Sequence, residues 1–179
     1  AESVPPSLEV YWGGFVARRV ARDARAAGIS FMQYVATGRA QPADLLGSLV
    51  DAVDTLNANF GTWKTPWGTI NRFQRISPEI GPHFDDAQPS IPVPFTASGW
   101  GSLAAYGSRP YPNTKKWYGT SGNSFVAVVE FGDSVQAKAV TAGGEKGPPP
   151  FSPFQEPNQR SALGKPRDVP FLRSQLVGP

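Results

Sequence analysis

The run Ser124-Phe-Val-Ala-Val-Val-Glu-Phe131, followed by Gly132-Asp133-Ser134 and a return over Val135 to Ala142, constrains the fold more than any other part of the chain. β-Branched and aromatic residues fit a pleated surface, and strict alternation sends successive side chains to opposite faces. Phe125, Ala127, Val129 and Phe131 share one face; Ser124, Val126, Val128 and Glu130 share the other. The glycine-led segment supplies the turn, so residues 124–142 are predicted to form a two-stranded antiparallel hairpin. Both faces are largely apolar, which predicts a strand covered on both sides in a layered fold. The preceding Gly119-Thr-Ser-Gly-Asn-Ser124 reads as a structural turn leading into the strand. A phosphate loop is excluded there, because the Walker spacing and its lysine are missing and no helix follows.

Upstream, the periodicity is helical. Trp12, Phe15, Val16, Val20, Ala24 and Ala27 recur at three- and four-residue spacing, with Gly28 placed to end the helix. Leu45, Leu49, Val53, Leu56 and Phe60 trace one face of a second helix, opened by Pro42 and stopped by Gly61. Residues 29–37 lie between them and are too short to assign. From Gly61 to Lys116, aromatic residues sit among Pro and Gly without sustained period, which predicts short strands and ordered loops clamped by rings. The expected organisation is one segment: residues 1–61 mostly helical, 62–118 aromatic-rich loops and short strands, 119–144 the hairpin, and 145–179 a Pro-rich C-terminal arm. Val169 to Leu176 is apolar enough to dock the C-terminus.

Several function classes fall away on composition. A length of 179 residues with 40% hydrophobic and 17% charged residues suits one globular domain and argues against wholesale disorder. A net charge of +3, with no basic cluster beyond Arg18-Arg19 and Lys115-Lys116, gives no nucleic-acid track. No apolar run approaches the roughly 20 residues of a membrane-spanning helix. The absence of cysteine excludes disulfides, thiolate chemistry and Cys-based zinc sites. Ala1-Glu-Ser-Val-Pro-Pro has neither the basic region nor the apolar region of a signal peptide.

Glu130 is the residue whose setting invites chemistry, since an ionised carboxylate among valines is costly unless paired. A histidine or arginine is its natural partner; the alternative is a strand end that reaches water. His83, the only histidine, stands in Gly-Pro-His-Phe-Asp-Asp, where Asp85 and Asp86 could orient an imidazole. More often such a histidine is a surface residue. As metal ligands, His83, Asp85 and Asp86 crowd three donors into four residues, a poor geometry for one ion. Ser121 and Ser124 have no local base and do not read as nucleophiles. Lys115-Lys116-Trp117-Tyr118 mixes charge with rings, but two lysines cannot follow a nucleic-acid backbone. The prolines from Pro148 to Pro157 read as an ordered arm in preference to a polyproline ligand.

Several segments, in order, resemble the penicillin acylase family of N-terminal-nucleophile amidohydrolases. They are Trp67-Gly-Thr-Ile-Asn-Arg-Phe-Gln-Arg75, Phe84-Asp-Asp-Ala-Gln-Pro-Ser-Ile-Pro-Val93, Trp100-Gly-Ser-Leu, and Lys115-Lys-Trp-Tyr-Gly-Thr-Ser-Gly-Asn-Ser-Phe-Val-Ala-Val-Val-Glu-Phe-Gly132. The wording is similar to the C-terminal part of the β-subunit in the cephalosporin and acyl-homoserine-lactone acylase branch. The resemblance implies an α+β chain, a segment of a four-layer αββα sandwich, in an enzyme that hydrolyses an acyl–amine amide bond without metal or cofactor. It implies a serine at the start of the β-chain whose α-amine serves as base, with a histidine and an oxyanion hole. This chain starts with Ala1, so all of these are expected on a part not present here, and the isolated chain is expected to lack amidase activity. Glu130 matches the carboxylate that faces the histidine in cephalosporin-type acylases. The implied partners are the remaining α- and β-chain segments and a small acyl-amide substrate, with no nucleic acid or membrane. The implied location is periplasmic or secreted. Phe151-Ser-Pro-Phe-Gln-Glu-Pro-Asn-Gln159 departs from the family's Ser-Pro-His-Phe-x-Asp-Gln pattern, and Arg167-Asp168-Val169 resumes it. The alternative reading is a non-catalytic binding or scaffolding module that keeps the acylase fold without its nucleophile.

Overall fold

The computed structural model describes residues 1–74, 83–100, 102, 104–141 and 165–170. The chain divides at residue 70 into a helical unit and a sheet unit. The mixture of helices and sheets makes it an α+β chain.

In the helical unit, α1 (Pro5–Ala26) opens on prolines whose fixed φ suits the first turn. Its buried side includes Val16, Val20 and Ala24, as the periodicity predicts, and also Ser7 and Gly13. The other long helix, α3 (Pro42–Phe60), ends at Gly61, which adopts φ +80°, a conformation that glycine enters without steric cost. Of the predicted apolar stripe, Leu56 is buried and Leu45, Val53 and Phe60 are half-buried. The buried line of α3 is Ser48, Ala52 and Leu56, while Leu49 is exposed. Small residues allow close packing of α1 on α3; a Cβ at Gly47 would lie 3.2 Å from the Arg19 guanidinium. The Trp12 indole N–H donates to the Leu45 carbonyl at 3.0 Å, and Arg19 pairs with Asp51 at 2.6 Å. Between them, α2 (Phe31–Ala36) packs Phe31, Tyr34 and Val35 against the core cluster of Val16, Val20 and Ala40. The short α4 (Trp67–Ile70) is tied to the start of the chain by the Trp67 N–H donating to the Ser3 carbonyl at 2.8 Å.

The sheet unit contains two sheets. The first joins β1 (Asn71–Phe73), β2 (Ile91–Pro92), β3 (Tyr106–Pro110) and β4 (Trp117–Gly122) in the order β2-β1-β4-β3. β1 runs parallel to β4, and the other pairs are antiparallel. Here the turn expected at Gly119–Ser124 is corrected: β4 continues through Gly122, and only Asn123 and Ser124 link it to the next strand. Close packing explains the difference, because Gly119 lies buried beneath the Tyr106 ring, where its lack of a Cβ is required.

The second sheet is β5 (Phe125–Glu130), β6 (Gln136–Thr141) and β7 (Arg167–Val169), in that order, with antiparallel neighbours. Phe125 pairs with Thr141 and Glu130 with Gln136, so the hairpin closes around Gly132-Asp133. Ala142 and the arm from 145 to 164 lie outside the described residues, as do residues 171–176 of the C-terminal apolar segment. Among the described residues the expected cover is absent. Phe125 is 59% exposed on one face and Val128 61% on the other. The alternation fixes which residues pair and which face they share; cover needs another layer, and the described residues supply none over these side chains.

Candidate functional site

Glu130 is the last residue of β5, exposed, and opposite Gln136. Among the described residues it has no hydrogen bond or ion pair. Its face also carries Val126 and Val128 from β5, Lys138 and Val140 from β6, and Asp168 from β7. Facing water, the carboxylate meets no desolvation penalty, so the partner demanded by an apolar environment is not required in this setting. Lys138 Nζ stands 3.8 Å from Asp168 Oδ1, and both side chains are largely exposed.

The His83 loop has a different role from either chemical reading. His83 is exposed, and the two aspartates are committed elsewhere. The Asp86 carboxylate accepts from the backbone N–H of Lys115 at 2.7 Å and from the Tyr118 hydroxyl at 2.9 Å. The Asp86 carbonyl accepts from Lys116 Nζ at 2.8 Å. Asp85 Oδ1 caps the Ala87 N–H at 2.8 Å, while its backbone exchanges hydrogen bonds with the Gln74 amide at 2.8 and 2.9 Å. No group of His and carboxylate side chains suited to a metal ion occurs among the described residues. Ser121 and Ser124 are exposed, and neither has a neighbouring base in the described hydrogen bonds.

Three of the segments singled out by their wording meet in one polar knot. Asn71 Nδ2 donates to the carbonyls of Val93 and Phe95 at 2.8 and 2.7 Å. Arg72 Nε donates to Ser90 Oγ at 2.9 Å, and its terminal nitrogen donates to the Ser90 carbonyl. Phe84 stacks on Tyr118 at 4.8 Å and meets Tyr111 edge-on at 4.6 Å. Burial, followed by the bond to Asp86 and its charge, pushes the Tyr118 hydroxyl well above the usual tyrosine range. Burial also lowers the Arg72 guanidinium. On β3, the Tyr106 hydroxyl donates to the Arg72 carbonyl at 2.8 Å and accepts from the Gly119 N–H at 3.1 Å. Apart from the Asn71 amide oxygen, which is buried without a hydrogen-bond partner, the polar groups here bond to strands or loops, so the knot holds the first sheet together. The sequence signalled these residues by their wording, not their chemistry, and their partners lie too far along the chain for spacing to reveal.

A comparison with protein-family models matches residues 3–176 to the penicillin amidase family. No curated protein matches the chain.

Proposed function

The chain belongs to the penicillin amidase family, and from that premise we propose that it forms part of the β-subunit of an acylase of the cephalosporin and acyl-homoserine-lactone type. The match over residues 3–176 carries this reading. The family membership suggests an acylase or amidohydrolase. The catalytic serine, its helper histidine and the oxyanion hole belong to another part of the enzyme. The serine oxygen attacks the amide carbonyl while its α-amine takes the proton. The C–N bond then breaks, the amine leaves with that proton, and water releases the acid from the acyl-enzyme.

In this reading Glu130 faces the histidine, fixing its tautomer and favouring its charged form. The open faces of the β5–β7 sheet support membership of a layered αββα sandwich whose other layers come from the remaining α- and β-chain segments. The enzyme acts in the periplasm or outside the cell on small acyl-amides such as β-lactam side chains or acyl-homoserine lactones.

The test is intact-mass analysis of the purified active material, followed by hydrolysis assays on both substrate types. A companion chain beginning with serine, and activity that requires it, is the expected result. The exposed Glu130, unpaired among the described residues, also suits a second reading, a non-catalytic module. A monodisperse monomer with no companion and no turnover would establish that reading instead.

A further inference from the structure

The edge of a sheet is a template for pairing with another chain, and proteins blunt it with short strands, prolines, bulges or charges. Among the described residues, the edge strands β2, β3 and β7 each carry such a device. β2 has two residues, one of them Pro92. The register of β3 shifts between Gly107 and Ser108, and the strand carries Arg109 and ends on Pro110. β7 has three residues, includes Arg167 and Asp168, and is followed by Pro170. The remaining edge, β5, has none. Phe125–Glu130 runs six residues in unbroken register with β6, without proline, glycine or bulge, and its one charge stands at its last position. The outer side of β5 pairs with no other described strand, and all its residues but Val126 are exposed.

We propose that the outer edge of β5 is a docking site for one extended strand of a companion acylase segment, which continues the β5–β7 sheet in the same layer. This rests on the acylase reading given above and adds to it: further layers cover faces, whereas an edge is satisfied only by a strand lying beside it. A second copy of this chain is the poorer occupant. Two β5 edges joined would lengthen the sheet yet leave Phe125, Val128 and Val129 open on its faces, so the exposed apolar surface would double. A companion that brings a strand together with covering layers removes the open edge and the open faces at once. The strand it supplies is apolar on both faces, because it lies between the same layers as Val128 and Val129. It is basic beside Glu130, where opposite charges on neighbouring strands attract. Main-chain hydrogen bonds give the affinity and the alternating side chains set the register.

The test is amide exchange read residue by residue over Phe125–Glu130. A strand with one antiparallel neighbour directs only alternate N–H groups into the ladder. In the separate 179-residue chain, protection should therefore alternate along β5. In the processed enzyme both sets should be protected, with the outward-facing amides slowed at least about 100-fold. Alternation that persists in an enzyme whose companion chain is confirmed by mass overturns the proposal and leaves the acylase reading intact. Absence of any companion chain overturns the acylase reading, and the proposal with it. Protection of both sets in the separate chain also overturns the proposal. If dilution restores the alternation, the edge belongs to a second copy; if it does not, the edge belongs to this chain itself.

Discussion

The ring of Tyr106 covers Gly119 so closely that a Cβ at Gly119 would lie 2.2 Å from the ring carbon bearing the hydroxyl. The same hydroxyl accepts from the Gly119 N–H and donates to the Arg72 carbonyl, so one side chain joins the backbones of β1 and β4. Gly119→Ala is therefore expected to destabilise the chain by about 2 kcal/mol or more, in the range of overpacking a filled site. Urea unfolding measures this. In a Tyr106→Val background the same alanine should cost much less, and equal costs in both backgrounds would show that the ring is not the obstacle.

Burial pushes the Tyr106 hydroxyl up to about 12, above the ordinary value near 10 expected in the unfolded chain. Between those values the folded state holds a proton that the unfolded state has released. The stability linked to this proton is fully present below about pH 10 and is lost as the pH rises toward about 12, at roughly 1.4 kcal/mol per pH unit. Tyr118, also raised by burial, steepens the loss. Urea midpoints from pH 9 to 11.5 should fall steadily in the wild type and less steeply in Tyr106→Phe. Parallel slopes would remove Tyr106 from the effect.

Asp86 is the anchor of the knot rather than a base. Truncating it leaves the Lys115 N–H and the Tyr118 hydroxyl without their acceptor. Unsatisfied buried groups cost about 1–3 kcal/mol each; since Lys115 is exposed, Tyr118 sets the scale. Asp86→Ala is expected to lose about 2–3 kcal/mol, whereas His83→Ala, at an exposed site, should change stability by less than about 0.5 kcal/mol. Thermal unfolding of both variants checks the contrast. A larger loss in His83→Ala would return that histidine to the list of functional candidates.

What could be seen in the sequence depended on how far each signal reaches. Pro42 and Gly61 bracket α3 because helix ends are local chemistry. The Ser30–Gln33 capping box was equally local, since Ser30 accepts from the Gln33 N–H and the Gln33 side chain accepts from the Ser30 N–H. It could have identified α2. The hairpin register followed from alternation, but its cover did not, because alternation says nothing about what packs on each face. On α3, Leu56 was read correctly, while Ser48 and Ala52 were missed because serine and alanine carry little hydrophobic signal, although they fit a close helix contact. Gly119–Gly122 looked like a turn by composition and became strand through contact with Tyr106, thirteen residues away. The polar knot joins residues about 10–35 positions apart, beyond any motif. For Glu130, the strand position was readable, while the group it faces in an active enzyme was not.

The strongest consequence of the functional reading falls on Glu130. At the end of β5 it is exposed in this chain, and Gln136 opposite it is uncharged. Replacing it with glutamine preserves size and one acceptor but removes the charge. Folding of the chain should therefore be unaffected, because no described hydrogen bond or ion pair depends on that charge. On the proposed reading, the same charge in the processed enzyme orients an imidazole and favours its protonated form. Loss of such a partner typically lowers rates by about 10- to 1000-fold, the range between second-shell and general acid–base effects. Glu130→Gln should lower kcat by that much while urea unfolding of the 179-residue chain stays within about 0.5 kcal/mol of wild type. The substitution belongs in the full precursor, with processing confirmed by mass before rates are measured. Near-normal kcat in a fully processed Glu130→Gln enzyme would leave the residue as a strand-end carboxylate facing water. A fall in kcat accompanied by lost processing would assign it to maturation of the precursor instead of turnover.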